Sequence, residues 1–197
     1  AMVTAVAAQR KKTLKDGAEG QGIDPVTATD FANEALVTET LRTQFPDYEI
    51  IGEEASSAAG CVPPLDPAIR TWVVDPLDGT QNFCKGLPLS CVSIGLCVDG
   101  VPALGCVYDP YRDELFLGVA DMGAAYCDGE RISADSTCLS LPEAIVGTDL
   151  GYERSAEGVA RIAAVHAALL EANTFGVRNF GSTVLSVVWV SCGRANG

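Results

Sequence analysis

Basic side chains are scarce in this sequence of 197 residues, which has 13 lysines and arginines against 26 acidic residues. The formal net charge of −13 argues against a protein that binds nucleic acid or anionic membranes through its overall charge. We therefore expect no nucleic-acid partner and no membrane partner. If so acidic a chain handles phosphate groups, it needs bound cations to offset the charge repulsion.

Long apolar runs are also missing, since none reaches the roughly 18 residues that a membrane helix needs. The start of the chain shows no basic segment followed by an apolar one, so we expect no secretory signal. The eight cysteines form no Cys-x-x-Cys pair, which favours small, buried, reduced thiols over a zinc site or a disulfide framework. These absences together predict a cytoplasmic protein.

Histidine occurs only once, as His166, inside a segment whose pattern predicts a helix. No cysteine or second histidine stands near it in the sequence. We therefore expect His166 to lie at the surface or in packing rather than to bind a metal.

The most informative segment is WVVDPLDGTQNF at residues 72–83. Its apolar start predicts a buried strand that delivers Asp75 and Asp78 into a tight turn. Two carboxylates aimed at one point suit Mg²⁺, which binds a few carboxylates together with waters and phosphate oxygens. The backbone N–H groups of Gly79 and Thr80, where a helix can begin, are suited to binding phosphate.

Each acidic group also has a simpler interpretation when it is taken alone. Asp75 and Asp78 stand in ordinary turn dipeptides, Glu53 and Glu54 fit a solvated pair, and Asp30 fits a helix cap. Three such groups beside predicted strand and helix ends favour a shared cation site, because converging carboxylates repel one another without one. Two metal ions can hold both the attacking and the leaving oxygen of a displacement at phosphorus.

The coarse element order indicates a layered α+β or mixed α/β fold, with one domain over residues 1–197 and no linker. Apolar spacing and turn residues predict helices over 1–14, 27–45, 153–172 and 182–192. They predict strands over 48–51, 72–74, 89–98, 101–108, 114–120, 123–127, 144–149 and 174–178, and loops over 15–25 and 55–67.

Three blocks resemble, in order, motifs of the inositol monophosphatase family of Mg²⁺-dependent, lithium-sensitive phosphatases. Residues 24–30 resemble D-x-V-T-x-x-D, residues 52–54 match G-E-E, and residues 72–83 resemble W-x-x-D-P-x-D-G-T-x-N-F. Weaker matches lie at residues 45–47 and 180–183. The resemblance covers most of the chain and implies a layered alpha-beta sandwich of the inositol monophosphatase and fructose-bisphosphatase type, usually as a homodimer.

The resemblance also implies a role for each matching residue. Two to three Mg²⁺ ions would be held by Glu53, Asp75, the Leu77 carbonyl and Asp78, with Glu54 behind them. Thr80, hydrogen-bonded to Asp30, would orient and deprotonate the attacking water. The substrate phosphate and alcohol would be contacted by Asp78, Gly79, Thr80, Gly181, Ser182 and Thr183.

One family block has no counterpart before the last residue, Gly197. This is a W-D-x-A-A/G motif whose aspartate completes the second metal site in the family. We therefore expect the C-terminal part of the fold to be missing here. The second metal site would then have only Asp75 and Asp78, and the apolar face of residues 184–190 would have less to pack against.

The leading functional hypothesis is a phosphoric monoester hydrolase that acts on a small phosphorylated polyol, inositol monophosphate above all. Sister activities on a 3′-phosphonucleotide, a fructose bisphosphate or histidinol phosphate would use the same acidic residues. Two alternatives of other classes stay open: an inactive fragment or module that binds metal and phosphate without turnover, and a structural protein with acidic turns.

Overall fold

The computed structural model describes residues 12–14 and 25–197, and they form a mixed α/β fold. The helices are α1 (Ala28–Gln44), α2 (Glu53–Ala59), α3 (Thr80–Lys85), α4 (Ala156–Glu171) and α5 (Thr183–Ser191). The strands are β1 (Lys12–Leu14), β2 (Pro25–Thr27), β3 (Glu49–Gly52), β4 (Thr71–Asp78), β5 (Cys91–Val98), β6 (Val101–Asp109), β7 (Glu114–Val119), β8 (Ala124–Cys127), β9 (Glu130–Ile132), β10 (Ile145–Thr148) and β11 (Gly176–Asn179).

The main sheet contains seven strands in the order in which they follow in the chain, from β3 to β9. Strands β3 and β4 run parallel, and every later neighbouring pair is antiparallel. Two small sheets accompany it, an antiparallel pair of β1 with β2 and a parallel pair of β10 with β11. The predicted mixed α/β class is confirmed, while the single domain over residues 1–197 stays a prediction.

Helix α5 packs against β5, β6 and β7 of the main sheet and forms an apolar core with them. Leu185 and Trp189, four residues apart on one face of α5, pack with Cys91, Val107 and Phe116 from β5, β6 and β7. Val187, on the opposite side of the same helix, is 63% exposed. The apolar segment 184–190 therefore has one packed face and one open face.

Two predicted elements are wrong in part. The helix predicted over residues 1–14 is contradicted at Lys12–Leu14, which pair as a strand with Pro25–Thr27, and its other residues lie outside the described ones. The loop predicted over 55–67 begins with the last five residues of α2. The carboxylate that caps α2 comes from Glu34, on another helix, so the local sequence gives no sign of it.

The eight cysteines are all free thiols, as expected, but few of them are buried. Only Cys91 and Cys97 are buried, Cys61 is exposed, and the other five are intermediate. The prediction that these side chains serve mainly as buried apolar groups is therefore wrong for most of them. In the part of the chain that the structure describes, no helix has the length and apolar character to cross a membrane.

Candidate active site

The first acidic block lies at the junction of β2 and α1. Thr27 caps α1, and the Asp30 carboxylate accepts hydrogen bonds from the Thr27 backbone N–H (2.9 Å) and from its hydroxyl. Asp30 is fully buried. Burial raises the pKa of Asp30, and the bonds from Thr27 offset part of that rise. The motif position Asp24 lies outside the described residues.

The block at residues 72–83 begins with β4, which carries Asp75 and ends at Asp78. The register of β4 with β5 shifts between Asp75, which pairs with Ser93, and Asp78, which pairs with Cys91, so the two carboxylates flank an irregularity in the ladder. The Leu77 N–H donates to Asp75 Oδ1 at 3.1 Å. Asn33 of α1 donates from Nδ2 to the Pro76 carbonyl at 3.0 Å and fixes the turn from the other side.

Thr80 connects these two blocks. Its hydroxyl lies 2.9 Å from the Leu77 carbonyl and 3.3 Å from Asp30 Oδ1. A hydroxyl has one proton and two lone pairs, so Thr80 donates to one of these oxygens at a time and keeps acceptor capacity. The Thr80–Asp30 contact that the resemblance implies is present, while its catalytic role stays a prediction.

The block at residues 52–54 forms the start of α2. Gly52 supplies no side-chain cap, and Glu34 of α1 fills that place by accepting from the Glu54 and Ala55 N–H groups at 2.7 and 2.9 Å. A Cβ at Gly52 would lie 2.5 Å from the Glu34 carboxyl carbon, so a side chain there would displace the Glu34 carboxylate from the start of α2. Glu54 is buried, while Glu53 is exposed.

Glu53, Asp75 and Asp78 meet at one cavity of about 310 Å³. Burial raises the pKa of Asp75 to about 8, and the negative charges of Glu53 and Asp78 contribute to the rise. Burial also raises the pKa of Asp78. These carboxylates repel one another when they are ionised, and a divalent cation bound between them would offset that repulsion. Carboxylate oxygens are also the hard ligands that Mg²⁺ prefers.

Within residues 12–14 and 25–197, no three acidic, cysteine or histidine side chains are already grouped as a metal cage. Mg²⁺ usually binds one or two carboxylates, and waters and substrate oxygens complete its octahedron. The residues present therefore fit Mg²⁺ as partial ligands rather than as a closed cage.

Most of the predicted site residues line this cavity, namely Glu53, Asp75, Leu77, Asp78, Gly79, Thr80, Gly181 and Thr183. Asp30, Glu54 and Ser182 do not line it and lie behind its wall as buried residues. His166 lies apart from the carboxylates, with Nδ1 2.9 Å from the Ile162 carbonyl of its own helix. Glu53 at the start of α2, the end of β4 and the start of α5 thus converge on one cavity.

The sequence analysis missed the remaining wall of the cavity. It is formed by Gln81, Asp149, Leu150, Gly151, Tyr152, Arg154 and Asn179. Asp149 ties this wall to the start of α5, because its carboxylate accepts from the Thr183 hydroxyl at 2.7 Å. Arg154 is the one basic residue among the described residues that line the cavity. No motif marks the segment 149–154, so its position follows from the tertiary fold alone.

Gly79 is required by its surroundings. Its φ is +82°, and an added Cβ would lie 2.6 Å from the Leu89 carbonyl. We expect Gly79→Ala to destabilise the protein by about 2–4 kcal/mol and to disturb the Thr80 N–H. Urea unfolding measures this effect. The matched control is Gly123→Ala, which shares a positive φ of +54° but has open space around the new methyl group. Equal losses for both variants would contradict the steric argument.

Comparisons with known proteins agree with this geometry. The model of the inositol monophosphatase family matches residues 1–197. Inositol monophosphatase 1 of Solanum lycopersicum is 41% identical over 175 residues, which are 87% of this chain and 61% of that protein. The chain thus spans about three fifths of the length of this relative.

Two solved structures share the fold. The inositol monophosphatase from Anabaena superposes with a TM-score of 0.75 at 36% identity, covering 85% of this chain and 63% of that one. A Ca-bound IMPase family protein from Staphylococcus aureus gives a TM-score of 0.69 at 25% identity, covering 87% of this chain and 60% of that one.

Proposed function

The chain belongs to the inositol monophosphatase family, and on that basis we propose that it is a Mg²⁺-dependent phosphomonoesterase. Its reaction is the hydrolysis of inositol monophosphate to inositol and phosphate. The observation that carries the proposal is the convergence of Glu53, Asp75 and Asp78 on one cavity, beside the hydroxyl of Thr80.

Metal binding is assigned to the carboxylates at the floor of the cavity. Glu53, Asp75, the Leu77 carbonyl and Asp78 would hold two to three Mg²⁺ ions, with Glu54 behind them. Mg²⁺, when bound, supplies positive charge that offsets the phosphate charge and makes water a better nucleophile at neutral pH.

The protein's own groups position the reactants. The Thr80 hydroxyl, in contact with Asp30, is placed to accept a hydrogen bond from the attacking water and to pass its proton toward that buried carboxylate. The N–H groups of Gly79 and Thr80 hold the phosphate. Asp78, Gly181 and Thr183, which also line the cavity, are assigned to the substrate alcohol.

Arg154 supplies the positive side chain that such an acidic cavity needs for an anionic substrate. We expect Arg154→Ala to raise the KM for the substrate about tenfold and to change kcat little, because the charge acts on binding more than on the reacting bonds. The control is Arg131→Ala, which removes the same charge from β9, away from the cavity. A KM that rises equally in both variants would show a general effect of net charge instead.

The direct test is phosphate release from myo-inositol 1-phosphate by a preparation of checked intact mass, with Mg²⁺ and with EDTA. Release that requires Mg²⁺ supports the proposal. Faster release from a 3′-phosphonucleotide, a fructose bisphosphate or histidinol phosphate would reassign the substrate within the same chemistry. Stabilisation by Mg²⁺ without release from any of these would indicate a binding module or an inactive fragment.

The same proposal includes a homodimer in the cytoplasm whose activity is inhibited by lithium. The resemblance supports the dimer and the inhibition, and the eight free thiols fit a reducing compartment. Light scattering measures the oligomeric state, and a LiCl titration of phosphate release measures the inhibition.

A further inference from the structure

We propose that Ser182 is a positioning residue that holds Asp78 in its metal-binding orientation, rather than a residue that contacts the substrate. This inference rests on the proposed function, since it assigns a role toward the same metal site. Ser182 is 2% exposed and does not line the cavity, while its neighbours Gly181 and Thr183 do. A hydroxyl buried in this way is out of reach of a substrate in the cavity.

The contacts of Asp78 show what Ser182 does. The Ser182 hydroxyl donates to Asp78 Oδ2, and the Val184 N–H donates to the same oxygen at 3.0 Å. Protein donors at the start of α5 therefore hold the Asp78 carboxylate through Oδ2, and Asp78 faces the cavity from this fixed position. A carboxylate held by two donors on one oxygen keeps a fixed rotamer, which is the way outer hydrogen bonds orient metal ligands.

Ser182 is itself fixed from two sides. Its hydroxyl accepts from the Leu185 N–H at 3.2 Å and so caps α5 while it donates to Asp78. Asn82 of α3 donates from Nδ2 to the Phe180 carbonyl at 2.7 Å and to the Leu89 carbonyl at 2.8 Å. The segment just before α5 is thereby held against α3. The bond between Asn82 and the Phe180 carbonyl restricts the movement of Ser182, two residues later.

The test measures Mg²⁺ binding without turnover, through the Mg²⁺ concentration that half-saturates thermal stabilisation. We expect Ser182→Ala to raise this concentration at least tenfold, in the range found when hydrogen-bond partners of metal ligands are removed. Ser182→Thr keeps the hydroxyl and should stay within about threefold of the wild type. The matched control is Ser191→Ala in α5, whose hydroxyl donates to the Val188 carbonyl at 2.7 Å and should leave the value unchanged.

A second variant separates the loss of the helix cap from the loss of the bond to Asp78, because Ser182→Ala removes both. Ser182→Gly removes the same hydroxyl, and glycine at a cap position destabilises a helix less than alanine does, so this variant keeps α5 better than Ser182→Ala does. We expect the same tenfold rise. Half-saturation at the wild-type concentration in both Ser182→Ala and Ser182→Gly overturns the inference. A wild-type chain that Mg²⁺ does not stabilise would overturn the metal site of the proposed function itself, so the two failures are distinguishable.

Discussion

Asp75→Asn is expected to abolish Mg²⁺-dependent phosphate release and, at the same time, to make the metal-free protein more stable. Asparagine keeps an oxygen for the Leu77 N–H but removes a charge that burial, Glu53 and Asp78 all oppose. We expect a gain of about 1–3 kcal/mol in EDTA near pH 7.5. Chemical unfolding with EDTA and with Mg²⁺ measures both effects, and Mg²⁺ should stabilise the wild type much more than the variant.

The stability of the metal-free protein should fall as the pH rises toward 8. The pKa of Asp75 is raised from an ordinary value near 3.8 to about 8 in the folded protein. Between these values the folded state holds a proton that the unfolded state has lost, so stability in EDTA falls as the pH rises from about 4 to 8. This fall should be smaller in Asp75→Asn. Asp121→Asn, at an exposed position, is the control and should follow the wild type. A variant less stable than the wild type in EDTA at pH 7.5 would contradict the charge argument.

Thr80→Ala is expected to lower kcat about 100-fold, the usual scale for the loss of a positioned proton acceptor. The methyl group cannot accept a hydrogen bond from water or pass a proton toward Asp30. Thr80→Ser keeps the hydroxyl and should retain most of the activity. Phosphate release at saturating Mg²⁺ and substrate measures the difference between the two variants.

The control for Thr80 is Thr40→Ala, whose hydroxyl donates to the Leu36 carbonyl on the exposed side of α1. Its kcat should equal that of the wild type. A Thr80→Ala enzyme within threefold of the wild type would remove Thr80 and Asp30 from the proposed proton path. Mg²⁺ stabilisation of that variant shows whether any loss lies in metal binding instead.

The parts of this fold that the sequence predicts well are set by short-range rules. The Thr27 cap with Asp30 three residues later marks the start of α1, and the Asp99-Gly100 turn marks the hairpin of β5 and β6. The apolar start of β4 is equally clear, although the strand predicted over 72–74 continues through Asp78. Each of these features is fixed by neighbours within a few residues.

The features that sequence reasoning missed are all set by long-range contacts. The start of α2 is capped by Glu34, 20 residues earlier, and the Ser182 hydroxyl donates to Asp78 from the far end of the chain. Arg154 reaches the site only because β10 and β11 bring the segment after Thr148 to the carboxylates. The sequence identifies residues that could bind metal or substrate. Tertiary packing decides which of them line the same cavity.

The bond between Ser182 and Asp78 joins residues 104 positions apart, which has a consequence for biosynthesis. At about 5–20 residues per second, a ribosome needs about 5–20 s after Asp78 to add the serine that holds it. The nascent chain therefore presents Asp75 and Asp78 before the residues at the start of α5 that bond to Asp78 exist. The proposed metal site then forms late in synthesis, and a ribosome stalled between β4 and α5 displays the motif of residues 72–83 without the contact from Ser182.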